Sequence, residues 1–174
     1  MSGEFTLEGI QKFFRGLDFG NERVRRGAER GMGIAAMALM NEAITEEPMV
    51  PLDQGTLRGS ASVHVGRKLV GKSAAPSDPE ATSHAQSAPP PGFRGSKDEF
   101  IATVTFNTPY ATHLHEHPEY EFGMTGYKRT KGKRPPIEGT GGKYLERKLS
   151  VNRYRHMKVV SDEIQKELKN AQAP

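Results

Sequence analysis

Three histidines, His113, His115 and His117, stand two apart in the stretch PYATHLHEHPEYEFG (109–123), with Glu116 and Glu119 beside them. The chain holds six histidines, so half of them fall within five positions. Imidazole and carboxylate at this density are donors a zinc ion uses, with nitrogens about 2.0–2.1 Å from the metal. On a strand all three rings would leave from one face; on a helix His113 and His117 would lie one turn apart. Either geometry could gather imidazoles. Three ligands within five residues usually need further donors from elsewhere, and the other histidines are poorly placed to help. His84 falls in a Ser/Ala/Pro-rich loop, His64 on a strand and His156 on a late helix.

Other chemistry finds less support. There is no HExxH pair and no glycine-rich phosphate loop of the GxxxxGK[ST] type. No serine occupies a G-x-S-x-G elbow, and the absence of cysteine removes thiolate nucleophiles, thiolate metal ligands and disulfides together. The histidine segment therefore reads as an exposed contact surface, with Tyr110 and Leu114 packing inward. No catalytic, metal or cofactor residue is assigned. Two alternatives stay open beside it: a metal-dependent hydrolase using His113, His115 and His117, and a nucleic-acid-binding protein using basic stretches. Those stretches are NERVRRGAER (21–30) and GYKRTKGKRPP (126–136). Neither interleaves aromatic side chains as single-strand binders do.

A length of 174 residues suits one domain. Only 34% of the residues are hydrophobic, so the core must be small and part of the chain should lie outside it. The net charge of +4 is compatible with nucleic acid or an acidic protein surface as a partner, and does not choose between them. No run approaches the roughly 18 apolar residues of a membrane span, and no signal-peptide core is evident at the N-terminus. The expectation is a soluble protein with no membrane partner.

The elements that must position these residues follow from periodicity. Leu7, Ile10, Phe13, Phe14 and Leu17 predict an amphipathic N-terminal helix within an arm covering 1–20. Val24, Ala28, Met32, Ala35, Ala36, Leu39, Ala43 and Ile44 predict a long helix over about 21–46, ended by Pro48 and Pro51. Asp53, Gln54 and Gly55 predict a turn, with Gly55 at positive φ and Leu57 in the core. Ser60–Val65 alternates as a strand that Leu69 and Val70 extend past Gly66. Residues 73–97 are Ser, Ala and Pro, with Phe93 their one large apolar anchor, and predict an extended loop. A strand over 100–106 is the clearest in the chain. A short turn or helix then carries the histidines, a second loop covers 118–142, and a final helix runs from Lys143 to Lys169. Its stripe is Tyr144, Leu145, Leu149, Val151, Tyr154, Met157, Val160, Ile164 and Leu168. The sum is an α+β domain: a small antiparallel sheet packed with two long helices, with long protruding loops.

Three segments in this order resemble a family of tailed-bacteriophage neck proteins, often labelled minor capsid, tail-completion or head–tail joining proteins. PLDQGTLRGSASV (51–63) is similar to the family's P-x-D-T-G-x-L-R-x-S signature: Pro51, Asp53, Gly55, Leu57, Arg58 and Ser60 match, and Gln54 replaces the usual Thr. TPYATHLHE (108–116) resembles its Tyr-Ala segment through Tyr110, Ala111 and Glu116. GGKYLERKLSVN (141–152) resembles its closing helix start, with Tyr144 and Leu145 at the aromatic–leucine positions and Leu149 behind them. The resemblance covers about residues 28–168, and 73–97 and 118–140 depart from it.

What it implies is a structural virion protein without enzymatic activity or cofactor. Such proteins form a homo-oligomeric ring in the head–tail connector of a long-tailed phage. The ring's partners would be a head-closure or adaptor protein on one side and a tail terminator or tail-tube protein on the other. DNA would pass non-specifically through its channel. The implied place is the neck of the virion, reached from the host cytoplasm during assembly. The residues then expected at subunit contacts are Phe93, Tyr110, His113, His115, Glu116 and His117.

Overall fold

A computed structural model describes residues 13–18, 21–51, 56–73, 100–108, 111–116 and 141–170. Helix α1 spans Glu22–Thr45. Its first turn is capped by Asn21, whose side-chain oxygen accepts from the Arg23 N–H at 2.9 Å. A single turn, α2 (Thr56–Gly59), leads into strand β1 (Ala61–Val65), followed by β2 (Lys68–Lys72) and β3 (Ala102–Phe106). Helix α3 (Ala111–Glu116) carries the histidines, and α4 (Tyr144–Val151) and α5 (Arg153–Lys169) close the described chain. Part of the first expected helix is seen, since residues 13–15 are helical. The loop over 74–97, Gly55 and most of 118–142 lie outside the described residues.

The sheet is antiparallel throughout, in the order β2-β1-β3. Val63 pairs with Val104 on one side of β1 and with Gly71 on the other, and the β1–β2 register slips between Val63 and His64. The expected strand extension past Gly66 is corrected here. Gly66 takes φ 57°, a left-handed conformation open to glycine, and the chain folds back so that Leu69 and Val70 form a separate strand.

Helix α1 runs between the sheet and α5, which explains its content of Gly, Ala and Met. Ala36 and Met40 pack with Ala61 and Val63 of β1. On its other side Val24, Ala28 and Ala35 pack with Val160 and Ile164 of α5, with Phe14 and Phe100 beside them. The pairing of Gly27 with Ile164 and of Gly31 with Val160 makes the two helices antiparallel. A Cβ built on Gly27 would stand 2.6 Å from the Ile164 Cα, so the absence of a side chain is what lets the axes close up. The fully covered apolar side chains fall into three small clusters instead of one large core, as the low hydrophobic fraction leads one to expect.

The single terminal helix expected over 143–169 is also corrected. Asn152 divides it into α4 and α5. Around this break Leu149, Val151 and Tyr154, expected on the apolar stripe, are instead exposed, Val151 to 80%. No helix among the described residues is long and apolar enough to cross a membrane.

Candidate subunit-contact site

Residues Ala111–Glu116 of the second segment form a helix, and that geometry separates two of the histidines. Residues two apart on a helix point to different sides. His113 is exposed, while His115 turns towards α4. Tyr110, His117 and Phe93 lie outside the described residues. Among the described residues, no group of three His, Asp or Glu side chains is close enough to share a metal ion.

His115 instead belongs to a corner where α3 meets the start of α4. Its ring meets Tyr144 edge-to-face, 4.8 Å between centroids, and Phe106 of β3 meets the same ring at 5.4 Å. Tyr144 is almost wholly buried, and its hydroxyl donates to the Ala111 carbonyl over a long 3.4 Å. Burial pushes its phenol well above the usual range. Leu114 packs against the same cluster, as expected.

Lys143 ties the corner from outside. It sits at φ 56°, a left-handed conformation uncommon for a residue with a Cβ. From there its N–H donates to the His115 carbonyl at 2.8 Å. Its ammonium reaches Glu116 at 2.6 Å and Glu146 at 3.1 Å. The hydrogen bond from Lys143, then that from His115, holds the Glu116 carboxyl below the ordinary carboxylate range. At this corner, the lip formed by α3 and the start of α4, His115 Nε2 is buried without a partner among the described residues.

The PLDQGTLRGS segment has a local structural role. Arg58 Nε donates to the Val50 carbonyl at 2.9 Å, tying the single turn α2 to the residues that follow α1. The Ser60 hydroxyl donates to the Leu57 carbonyl at 2.7 Å and accepts from the Asn107 N–H at 3.0 Å, fixing the entry into β1 against the end of β3. Leu57 is buried as expected, at 4% exposure.

Between β3, α1 and the α3–α5 side lies an open trough of about 940 Å³. Its walls are mainly apolar, including Leu39, Val104, Phe106, Leu149 and Met157, with Glu116, Glu146, Arg153 and His156 among the polar groups that line it. No part of β3 is fully covered.

Neither a family model, nor a curated protein, nor a solved structure matches this chain.

One buried polar cluster that shapes the trough was missed by reading the sequence. Glu42, 5% exposed on α1, receives Asn152 Nδ2 at 2.8 Å, forms an ion pair with Arg155, and lies 3.2 Å from His156 Nε2. Nearby, the buried Lys148 donates to the Glu47 carbonyl at 2.6 Å. This polar clamp holds the α4–α5 junction against the end of α1, and so sets one wall of the trough. A signal was present: Glu42 lies two turns beyond Ala35 on the same stripe, and His156 precedes Val160 and Ile164 at helical spacing. A charged residue on an apolar stripe calls for a buried partner.

Proposed function

We propose that this chain is a structural ring subunit of a long-tailed phage neck, joining the head side to the tail and continuing the channel through which DNA passes. The observation that carries the reading is the meeting of the three segments that resemble neck proteins. Leu57 from the first, Ala111 from the second and Tyr144 from the third pack in one buried cluster, with Leu145 against it. Segments spread over about ninety positions thus supply one junction, which is what a shared structural signature would do.

The open trough and the exposed Leu149, Val151 and Tyr154 support the same reading. Apolar surface left uncovered in a lone subunit is favourable to bury against another. A closed ring offers that burial without leaving a free end. In this reading the histidine segment is a contact surface, and the partners are further copies of the chain, a head-closure or adaptor protein, and a tail terminator or tail-tube protein.

The test is assembly. Electron microscopy and native mass measurement of the purified chain, alone and with its connector partners, should show a closed ring with an axial channel. Particles made without the chain should accumulate DNA-filled heads and separate tails, which added protein then joins. Tailed, infectious particles formed in its absence would overturn the reading.

A further inference from the structure

We propose that the trough is the docking site of the chain's own N-terminal arm, residues 1–12, with 5–12 lying along it as a helix and Leu7 and Ile10 facing its floor. The inference goes beyond the ring reading and stands without it.

The described chain begins at the trough. Residues 13–15 are helical, and the Leu17 N–H donates to the Phe14 carbonyl at 3.3 Å where that helix ends. Phe13, Phe14 and Leu17 pack against the cluster that holds Val24 and Ala28 of α1 and Val160 of α5. Phe14 also lines the trough itself. The residues that precede it therefore start from the trough's own wall.

The short connection gives their direction. The Asn21 N–H donates to the Asp18 carbonyl at 3.1 Å, and α1 begins at the next residue, Glu22. Two helices joined by so few residues lie side by side and antiparallel. Moving from Leu17 towards the N-terminus thus moves along α1 from Val24 towards Leu39. The α1 residues that line the trough are Met32, Ala35, Ala36 and Leu39. At 1.5 Å per residue, a helix over 5–12 is about 12 Å long, and the stretch of α1 from Met32 to Leu39 is about 10 Å.

The faces agree as well. Positions three, four and seven apart share one side of a helix, so Ile10 and Leu7 fall on the side of Phe14. Glu4, Glu8, Lys12 and Arg15 fall together on another side. Where that helix is described, Phe14 is partly covered and Arg15 is exposed, as this orientation requires. Leu7 and Ile10 would meet the mainly apolar walls formed by Leu39, Val104 and Met157, and covering apolar side chains there is favourable. In a ring, exchange of arms between copies would keep the same contacts while moving them between chains, a low-cost route to association.

Because the chain has no cysteine, engineered thiols report the contact without background. In Leu7→Cys with Leu39→Cys, mild oxidation should close a disulfide within one chain, read as a faster-migrating monomer on non-reducing electrophoresis. Its rate should be unchanged on about tenfold dilution, since the two thiols are tethered. Glu8→Cys with Leu39→Cys turns the first thiol about 100° off the stripe and should react at least about tenfold more slowly, as misdirected thiols do. A dye that binds exposed apolar surface should bind the parent chain weakly. It should bind Leu7→Asp with Ile10→Asp more strongly, because a carboxylate opposes entry into an apolar groove.

Crosslinks that form only between chains and slow on dilution would assign the trough to a neighbour's arm and overturn the proposal. So would the absence of any crosslink, equal rates for the Leu7→Cys and Glu8→Cys pairs, or equal dye binding by the parent and the aspartate variant.

Discussion

Gly31 of α1 lies against Val160 of α5 so closely that a Cβ on the glycine would sit 2.7 Å from the Val160 Cα. The obstacle is backbone, which cannot rotate out of the way. Alanine is a better helix former than glycine by about 1 kcal/mol, yet overpacking of a close contact costs about 1–3 kcal/mol. Gly31→Ala should therefore lower stability in chemical denaturation, and Gly27→Ala should do the same at its contact with Ile164. An increase in the denaturation midpoint for both would mean that the helix axes stand further apart than described.

The clamp on Glu42 should respond unequally to its members. Glu42→Ala leaves Asn152 and His156 without their shared acceptor in a buried place, and should cost about 1–3 kcal/mol. Arg155→Ala should cost less, because the Arg155 side chain is 57% exposed and water already solvates part of it. Equal losses for the two variants in thermal unfolding would contradict this ranking.

Tyr144 should matter for its ring far more than for its hydroxyl. Tyr144→Ala removes the surface on which Phe106 and His115 rest and should cost about 3–5 kcal/mol. Tyr144→Phe loses only a long hydrogen bond and should stay within about 1 kcal/mol. The phenol, raised by burial, should ionise only beyond the range where free tyrosine does, which absorbance near 295 nm can follow in the folded protein.

The lip offers a pH signature. The folded-state pKa of Glu116 is depressed, so the bond to Lys143 is fully present above the ordinary 4.5 and is lost as pH falls through the lower, folded value. Lys143 is raised, so its share is present below 10.5 and is lost as pH climbs through the higher folded value. Between those limits the corner should be insensitive to pH through this pair. A carboxyl titration by NMR should place the Glu116 midpoint below 4.5, and Lys143→Met should return it towards 4.5. An unchanged midpoint in the variant would show that the ion pair is not formed in solution.

Backbone strain gives a companion test at the same residue. Lys143→Val, with a branched side chain at positive φ, should cost about 1–3 kcal/mol. Lys143→Gly relieves the φ and loses only exposed ion pairs, so its denaturant melt should lie closer to the parent's than that of Lys143→Val does.

Periodic features were readable where one face of one element decides them. The α1 stripe from Val24 to Ala43 and the alternation through Phe106 predict a helix and a strand that the structure contains. Features decided between distant residues were not. Alternation continues on both sides of Gly66, so an extended strand and a hairpin have nearly the same pattern, and only the sign of φ separates them. Asn152 interrupts the last helix while donating to Glu42, 110 positions away, a relation that no local window contains. The histidines show the same limit. A spacing of two means one face on a strand and different faces on a helix, and the type of element had to be known first.

Glycines 27 and 31 also bear on how the subunit would carry force. Where backbone touches backbone, no side chain is left to deform, and close-packed matter of this kind transmits displacement instead of absorbing it. Pressure on the outer surface of α5 would reach α1 at Gly27 and Gly31 with little yielding, and pass on to the sheet through Ala36 and Ala61. Along the α5–α1–sheet line, then, the described residues leave little room to yield, and a load applied along that line would pass through with little loss.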